Sequence, residues 1–172
     1  MSDEAYQVAV SFLNELSNQL SQGLEKISHC VKQLSDEQVW WRPTESQNSI
    51  ANLILHLEGN VHQWVVSGVG GEPDVRDRPG EFSASKTMEK RELIAKVTET
   101  VQRSIEIVSS QTASTVLEER RIQGFDTTVA GAIIDSVTHF QGHSQEIISL
   151  TRQQLEERYS FYFVPQSPEQ EA

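Results

Sequence analysis

The sequence predicts an all-α protein, a four-helix bundle in which two of the connections are long crossover loops. Four segments repeat apolar residues at intervals of three or four, as amphipathic helices do. Residues 68–86 and 111–126 separate some of these segments and are longer than the usual connection between neighbouring helices. A chain of 172 residues can also bury one substantial core. Together these observations predict a bundle with crossover connections.

The first two helices are predicted from their apolar stripes, which both face the expected core. The stripe of the first comprises Leu13, Leu16, Leu20, Leu24, Ile27, Val31 and Leu34. The second helix is predicted to begin after Pro43, with Ser46 or Asn48 as its N-cap, and to end at Gly68. Its stripe comprises Ile50, Leu53, Leu57, Val61 and Trp64.

The third and fourth helices follow the same periodicity. The third is predicted to start near Thr87, with Glu89 in its first turn, and the fourth to run from just after Thr128 to about Glu157. The stripe of the third comprises Ile94, Val97, Val101, Ile105 and Val108. The stripe of the fourth comprises Val129, Ile133, Val137 and Phe140.

The connections and the C-terminal end are less regular. Residues 68–86 contain so many glycines and prolines that no regular structure is expected there. Residues 116–122 could form an extended segment, with Gly124 as a turn. We expect one domain over residues 1–158, followed by a tail at 159–172 that is first aromatic and then acidic.

Composition excludes several classes of protein. The net charge of −11, from 25 acidic and 14 basic residues, and the lack of any basic cluster argue against nucleic-acid binding. No apolar run approaches the roughly 18 residues of a membrane span, so we expect no membrane association. The single cysteine, Cys30, excludes an intramolecular disulfide and is typical of a reducing compartment. We therefore expect a cytoplasmic protein.

Three histidines carry the strongest functional pattern. His139 and His143 are four residues apart and so project from one face of a helix, while His56 lies at the edge of another apolar stripe. Three imidazoles can share one metal ion and leave positions open for water or substrate, as in catalytic rather than structural sites. Alternatively, each histidine is an ordinary surface or core residue. His29 and His62 face elsewhere and are left out of the predicted site.

Nearly the whole chain resembles a known superfamily, most strongly over residues 40–82 and 127–150. Residues 41–43, 48–53 and 56–60 resemble the DinB/YfiT-like metalloenzymes, and residues 71–79 with 81–82 look like one uncharacterised branch of that superfamily. The resemblance implies that a histidine of the second helix joins the paired histidines of the last helix in binding a divalent metal. Carried over to this sequence, those residues are His56, His139 and His143.

Glu146 is the main departure from that pattern, because relatives often have glutamine at this place. It lies on the same helix face as both histidines of the pair. Glu146 could therefore be a fourth ligand, an acceptor that orients an imidazole, or a general base. It could equally be a solvated acid on the helix surface.

The resemblance also guides the expected chemistry. Similar proteins include S-transferases and isomerases that use a low-molecular-weight thiol, so a small-molecule substrate and thiol transfer are expected first. The carboxylates of such a thiol could pair with Arg76, Arg78 or Arg42, although each arginine could instead hold the long loop by salt bridges. Histidine ligands favour zinc or nickel as the metal.

Two other functions stay open at this point. A metal-dependent hydrolase would need a base such as Glu146 near the metal. A non-catalytic bundle would bind only metal or a protein partner. Relatives are commonly dimers, so we also expect a homodimer, for which the aromatic residues at 40–41 or 159–163 are candidate contacts.

Overall fold

The computed structural model describes residues 3–164, and four long helices make a bundle as predicted. These helices are α1 (Asp3–Lys32), α3 (Ile50–Val61), α5 (Lys90–Ser109) and α6 (Val129–Leu155). Both α1 and α3 pack against α5 and α6, so α1 and α3 lie at opposite corners of the bundle. The all-α fold class is therefore confirmed.

Short elements occupy the connections between these helices. α2 (Asp36–Trp40) and α4 (Arg78–Ser83) are single short helices on either side of α3 in the chain. A hairpin of β1 (Glu119–Ile122) and β2 (Phe125–Thr128) joins α5 to α6. Brief 3₁₀ turns at Thr115–Leu117 and Glu156–Arg158 complete the described chain.

The core forms along the predicted stripes. The side chains of Leu20, Leu57, Val97 and Phe140 come from the four different helices of the bundle, and all four are fully buried. The single cysteine, Cys30, lies in the same core. Burial raises the pKa of its thiol despite hydrogen bonds from Thr151 and Tyr159.

The start of α3 differs from the prediction in its cap. Ser49, rather than Ser46 or Asn48, is the N-cap, and it forms a capping box with Asn52. The Asn52 side chain also donates from Nδ2 to the carbonyls of Glu81 and Ala84, at 2.9 and 3.0 Å. The residue that closes the cap of α3 therefore also holds α4 against it.

The end of α3 is also distinctive. The helix continues from Val61 into one turn of π-helix, His62–Ser67, which ends at Gly68 as predicted for the second helix. π-helical turns are rare and occur often at functional sites. Here the turn includes Gln63 and Trp64, which both face the region described below.

The expectation that residues 68–86 lack regular structure is wrong for α4. Asp77 caps this short helix by accepting from the N–H of Gly80, and Pro79 stands in its first turn, where its missing N–H costs nothing. α4 packs on α3. A short helix escapes detection by periodicity because it has too few turns to show a repeat.

Three boundaries differ from the sequence prediction by a few residues. α5 begins at Lys90 with Glu89 as its N-cap, so Glu89 precedes the first turn. α6 ends at Leu155 because Glu156 adopts a φ of +52°, two residues before the expected end. The expected extended segment begins only at Glu119, and the turn at Gly124 is confirmed, with a φ of +84°.

The first residues of the aromatic tail lie on α1. The Ser160 carbonyl accepts from the side chain of Gln33, at 3.1 Å, and lies 2.7 Å from Nε2 of His29. The Tyr162 hydroxyl donates to Glu25. The acidic end of the tail, residues 165–172, lies outside the described residues. Among the helices that the structure describes, none is long and apolar enough to cross a membrane.

Candidate metal centre

The three predicted histidines meet between α3 and α6. His139 and His143 stand one turn apart on α6, and His56 reaches them from α3. One ring nitrogen of each lies within 4.8 Å of the others, and the ring centroids are 4.6 to 5.2 Å apart. His56 is 6% exposed, whereas His139 and His143 are half-buried. The cluster therefore has a buried side on α3 and an accessible side on α6.

The spacing of the ring nitrogens suits a shared cation. Nε2 of His56 lies 2.9 Å from Nε2 of His139. Two metal–nitrogen bonds of about 2.0–2.1 Å that enclose a right angle place their nitrogens about 2.9 Å apart. Two facing lone pairs at this distance repel each other unless a proton or a cation lies between them. The cluster could therefore hold a metal ion.

A buried carboxylate sets the orientation of His56. Glu81, which lies on α4 and is 7% exposed, has Oε2 at 2.9 Å from Nδ1 of His56. Nη2 of Arg76 lies 3.1 Å from the same Nδ1, but the shorter contact is with the carboxylate, which only accepts hydrogen bonds when ionised. This contact favours the proton on Nδ1, which leaves the lone pair of Nε2 for the cluster. Carboxylate partners of this kind orient metal-binding imidazoles and raise their basicity.

His56 and Arg76 together keep Glu81 ionised. Nε of Arg76 donates to Oε1 at 2.7 Å and its Nη2 to Oε2 at 3.0 Å, with only 3% of the arginine side chain exposed. Burial alone would raise the pKa of the Glu81 carboxyl, but hydrogen bonds from His56 and Arg76 outweigh burial and lower it. The Arg76 side chain also donates from Nη1 to Oε1 of Gln63, at 3.0 Å. Arg76 is thus held within the site by its protein partners.

The close approach of α4 to α3 depends on a glycine. A Cβ atom added to Gly59 would lie 2.1 Å from Oε1 of Glu81 and 3.2 Å from Nε of Arg76. Gly59 lies in α3, where glycine costs about 1 kcal/mol relative to alanine. The missing side chain leaves the space that the Arg76–Glu81 ion pair occupies.

A second carboxylate pairs with His143. Oε2 of Glu146 lies 2.7 Å from Nδ1 of His143, three residues earlier on α6. Nδ1 therefore donates to Glu146 and Nε2 is the ring nitrogen left for a metal. Of the three roles considered for Glu146, this contact favours an acceptor that orients an imidazole. The pair is more exposed than His56–Glu81, with 27% of the His143 side chain and 47% of the Glu146 side chain accessible.

The surroundings of His139 disfavour its protonation. Burial, then the neighbouring charges of His143 and His56, and then Arg76 and Arg78, lower its pKa from 6.5 to about 4. The ring is therefore neutral at pH 7. A neutral imidazole is the form that binds a metal.

A cavity of about 280 Å³ opens beside the cluster. His56 and His139 line it, together with Trp64, Arg78, Gln123 and Asp135. A larger cavity, of about 740 Å³, shares Arg76 with the first but includes none of the three histidines. The smaller cavity is therefore the one from which a ligand could reach the histidines.

The other predicted candidates lie in different settings. Arg42 donates to the carbonyls of Phe82 and Ala84, at 2.9 and 3.3 Å, and does not line the smaller cavity. His62 lines the larger cavity, and His29 lies at the tail. Both were left out of the predicted site, and neither belongs to the three-histidine cluster.

Sequence reasoning missed Glu81 as a functional residue. It is separated from His56 by a connection that was expected to be irregular. The available signal was the local sequence Asp77-Arg78-Pro79, an N-cap followed by proline in the first turn, which predicts the start of a helix. A carboxylate on such a helix, close after the predicted arginine candidates, could have been proposed as a partner of the histidines.

A family model matches almost the whole chain. The model of a family described as a protein of unknown function, DUF1572, matches residues 7–168. The chain belongs to this family. The predicted resemblance to DinB-like proteins is confirmed at the level of the fold by two solved structures. No curated protein matches the sequence.

Two solved structures show the same fold at low sequence identity. A DinB-like protein from Bacillus cereus ATCC 10987 is 12% identical, with a TM-score of 0.67, over 87% of this chain and 95% of its own. A DinB-like protein from Bacillus subtilis is 14% identical, with a TM-score of 0.65, over 86% of this chain and 96% of its own. These likenesses support the DinB-like bundle.

Proposed function

We propose that this DUF1572 protein binds one divalent metal ion through His56, His139 and His143 and uses it in catalysis. The observation that carries the proposal is the convergence of three ring nitrogens, within 4.8 Å of one another, from two helices. Two of the imidazoles are backed by carboxylates that orient them. Zinc or nickel suits a site made of neutral imidazoles.

A three-histidine site favours catalysis over a structural role. Structural zinc sites are usually closed by four protein ligands, whereas catalytic sites keep an open position. Glu81 and Glu146 each bind an Nδ1 atom and so orient histidines here rather than completing the ligand set. The adjoining cavity gives a small molecule access to the cluster.

Thiol-dependent group transfer is the reaction that we propose first. A bound divalent ion would supply Lewis acidity, which lowers the pKa of a coordinated thiol or water. The chain itself contributes the orientation of the imidazoles, the partly enclosed cavity and the guanidinium of Arg78 at its wall. That guanidinium offers a partner for an anionic group of the thiol.

The metal content of the purified, untagged protein tests the first part of the proposal. We expect about one divalent ion per chain by elemental analysis, and its loss in the His139→Ala and His143→Ala variants. His62→Ala is the matched control, because His62 directly follows α3 but lies outside the cluster. Retention of the metal in both cluster variants, or no uptake of zinc or nickel by the wild type, contradicts the proposal.

The reaction class is tested on metal-loaded protein with a panel of thiols and electrophiles. Thioether formation that requires both the metal and a thiol supports S-transfer. Ester or amide hydrolysis without a thiol would indicate a hydrolase instead. A metal-loaded protein that turns over none of these compounds would favour a non-catalytic binding module.

A further inference from the structure

The cavity beside the histidines is lined by two opposite charges that have no ionic partner in the described part of the chain. Arg78, the first residue of α4, and Asp135, on α6, both line this cavity of about 280 Å³. Ion pairs among the described residues involve other arginines and other acids. In particular, Arg78 and Asp135 do not pair with each other. Within residues 3–164 the cavity therefore presents a cation and an anion that are not ion-paired.

The positive charge is held in place by an aromatic ring. The guanidinium carbon of Arg78 lies 5.1 Å from the centroid of the Phe82 ring, a cation–π contact one turn further along α4. Phe82 in turn packs against His56, with ring centroids 4.9 Å apart. Stacking leaves the edge of a guanidinium free to form paired hydrogen bonds with a carboxylate.

The negative charge lies on the same helix face as the histidine pair. Asp135 is four residues before His139 on α6, which places the two side chains one above the other. Its carboxylate is exposed and has no cationic partner among the described residues. Trp64 also lines the cavity, and its indole N–H has no acceptor among the described residues.

We propose that this cavity binds a zwitterion of amino-acid size, with its carboxylate on Arg78 and its ammonium group on Asp135. The volume is at the lower end of the range for small-molecule sites, which favours a ligand of a few heavy atoms. This inference rests on the proposed function in one respect, because the ligand's third group is a thiol directed to the histidine cluster. The ligand class is therefore an α-amino acid that carries a thiol.

The test compares thiols that differ by one charged group. L-Cysteine carries both charges, cysteamine lacks the carboxylate, and 3-mercaptopropionate lacks the ammonium group. Binding to the metal-loaded protein is measured by titration calorimetry. We expect cysteine to bind at least about tenfold more tightly than either truncated thiol, since a hydrogen bond to a charged group contributes about 1.5 kcal/mol or more.

Two variants assign each charge to its residue. Arg78→Gln is expected to weaken the binding of cysteine about tenfold and to leave the affinity for cysteamine unchanged. In this variant the carboxylate of cysteine no longer adds to its affinity. Asp135→Asn is expected to weaken the binding of cysteine and cysteamine and to leave the affinity for 3-mercaptopropionate unchanged. The matched controls are Arg91→Gln and Asp126→Asn, exposed charges that do not line the cavity. The metal content of every variant is measured alongside.

A ligand without a thiol separates this inference from the proposed function. L-Serine is titrated into metal-free protein, where only the charged groups can hold it. If the protein takes up no metal but binds serine, and this binding depends on both Arg78 and Asp135, the zwitterion site is supported while the metal proposal fails. Three results would overturn the zwitterion site while the metal proposal stands, each in a protein that takes up metal normally. They are equal affinity for the three thiols, no binding of any thiol, and binding that depends on only one of the two charged residues.

Discussion

At the scale of single residues, the candidate site is defined by which nitrogen of each imidazole is already occupied. Glu81 accepts from Nδ1 of His56 and Glu146 lies at Nδ1 of His143, so both rings offer Nε2. His139 has no carboxylate partner among the described residues, and its Nε2 lies 2.9 Å from that of His56. The cluster therefore consists of two rings that carboxylates orient and a third ring, His139, that contacts His56.

Glu81→Gln is expected to lower both stability and metal affinity. The amide leaves the guanidinium of Arg76 buried without its counter-ion, which costs about 3–5 kcal/mol in the free energy of unfolding. Loss of the carboxylate behind His56 is expected to weaken metal binding by about 10–100-fold. Urea denaturation and metal titration measure the two effects.

The control for Glu81→Gln is a surface carboxylate. Glu37→Gln removes an exposed ion pair with Lys86, in which the nitrogen and oxygen are 3.6 Å apart, and is expected to leave the free energy of unfolding almost unchanged. Equal effects of the two substitutions would show that Glu81 acts as an ordinary surface acid.

Gly59→Ala is expected to displace Glu81 and weaken metal binding. The new methyl group would lie 2.1 Å from Oε1 of Glu81, too close for the ion pair with Arg76 to keep its position. In Gly142→Ala, on α6, the added methyl group meets nothing within 4 Å, and the protein is expected to gain about 0.5–1 kcal/mol from helix propensity. Thermal denaturation and metal titration of both variants distinguish the clash from a general helix effect.

His139 is expected to titrate well below an ordinary histidine in the metal-free protein. Its pKa is about 4 in the folded state and about 6.5 when unfolded, so the unfolded chain binds more protons between these values. The contribution of His139 to stability is therefore fully present above about pH 6.5 and is lost as the pH falls towards 4. NMR titration of the imidazole measures the pKa, and His139→Gln should flatten this part of the stability curve. A pKa near 6.5 would contradict the burial of the ring.

At the scale of elements, α3 organises the site because it contacts α4, α5 and α6. Its N-terminal capping box, its glycine and its terminal π-helical turn each position a neighbour of the histidines. The short helix α4 carries Glu81 and Arg78, and it is tied to α3 by the side chain of Asn52. The placement of α4 thus determines how His56 is oriented.

Asn52→Ala is expected to loosen α4 as well as destabilise α3. The substitution removes half of a capping box and two hydrogen bonds to carbonyls of the α4 segment, each of which contributes about 1 kcal/mol. Metal affinity should fall because Glu81 is no longer held in position. Gln38→Ala breaks the corresponding capping box of α2, and it should cost stability while leaving metal affinity intact. Unchanged metal binding in Asn52→Ala would contradict the role assigned to α4.

At the scale of the whole molecule, the site joins helices that are distant in sequence. His56 and His139 belong to α3 and α6, which pack side by side only in the folded bundle. A ligand that binds the folded state alone stabilises it by mass action. Metal binding and folding are therefore expected to be coupled in this protein.

Zinc is expected to raise the midpoint of thermal unfolding of the wild type. Free zinc at about a thousand times its dissociation constant would add about 4 kcal/mol, which corresponds to roughly 8–16 °C for a chain of this size. Differential scanning calorimetry measures the shift, and His143→Ala should show little of it. A shift of equal size in that variant would place the zinc at another site.

The bundle and its three histidines could be predicted because their evidence is local. The apolar stripes and the four-residue spacing of His139 and His143 follow directly from the geometry of a helix. The resemblance of residues 41–60 to the DinB/YfiT-like superfamily then predicted that His56 belongs to the same site as the pair. In the structure the three rings lie together.

The surroundings of the histidines depend on contacts that no local pattern specifies. Glu81 reaches His56 because Gly59 leaves room on α3 and Asn52 holds α4 there. No periodic pattern or fixed spacing in the sequence indicates either contact. Of the three arginine candidates, Arg76 is buried against Glu81, Arg42 binds backbone carbonyls, and Arg78 alone faces the cavity without an ionic partner among the described residues. Side chains of the same type differ here because their roles are set by which helices pack together, and packing is a property of the folded chain.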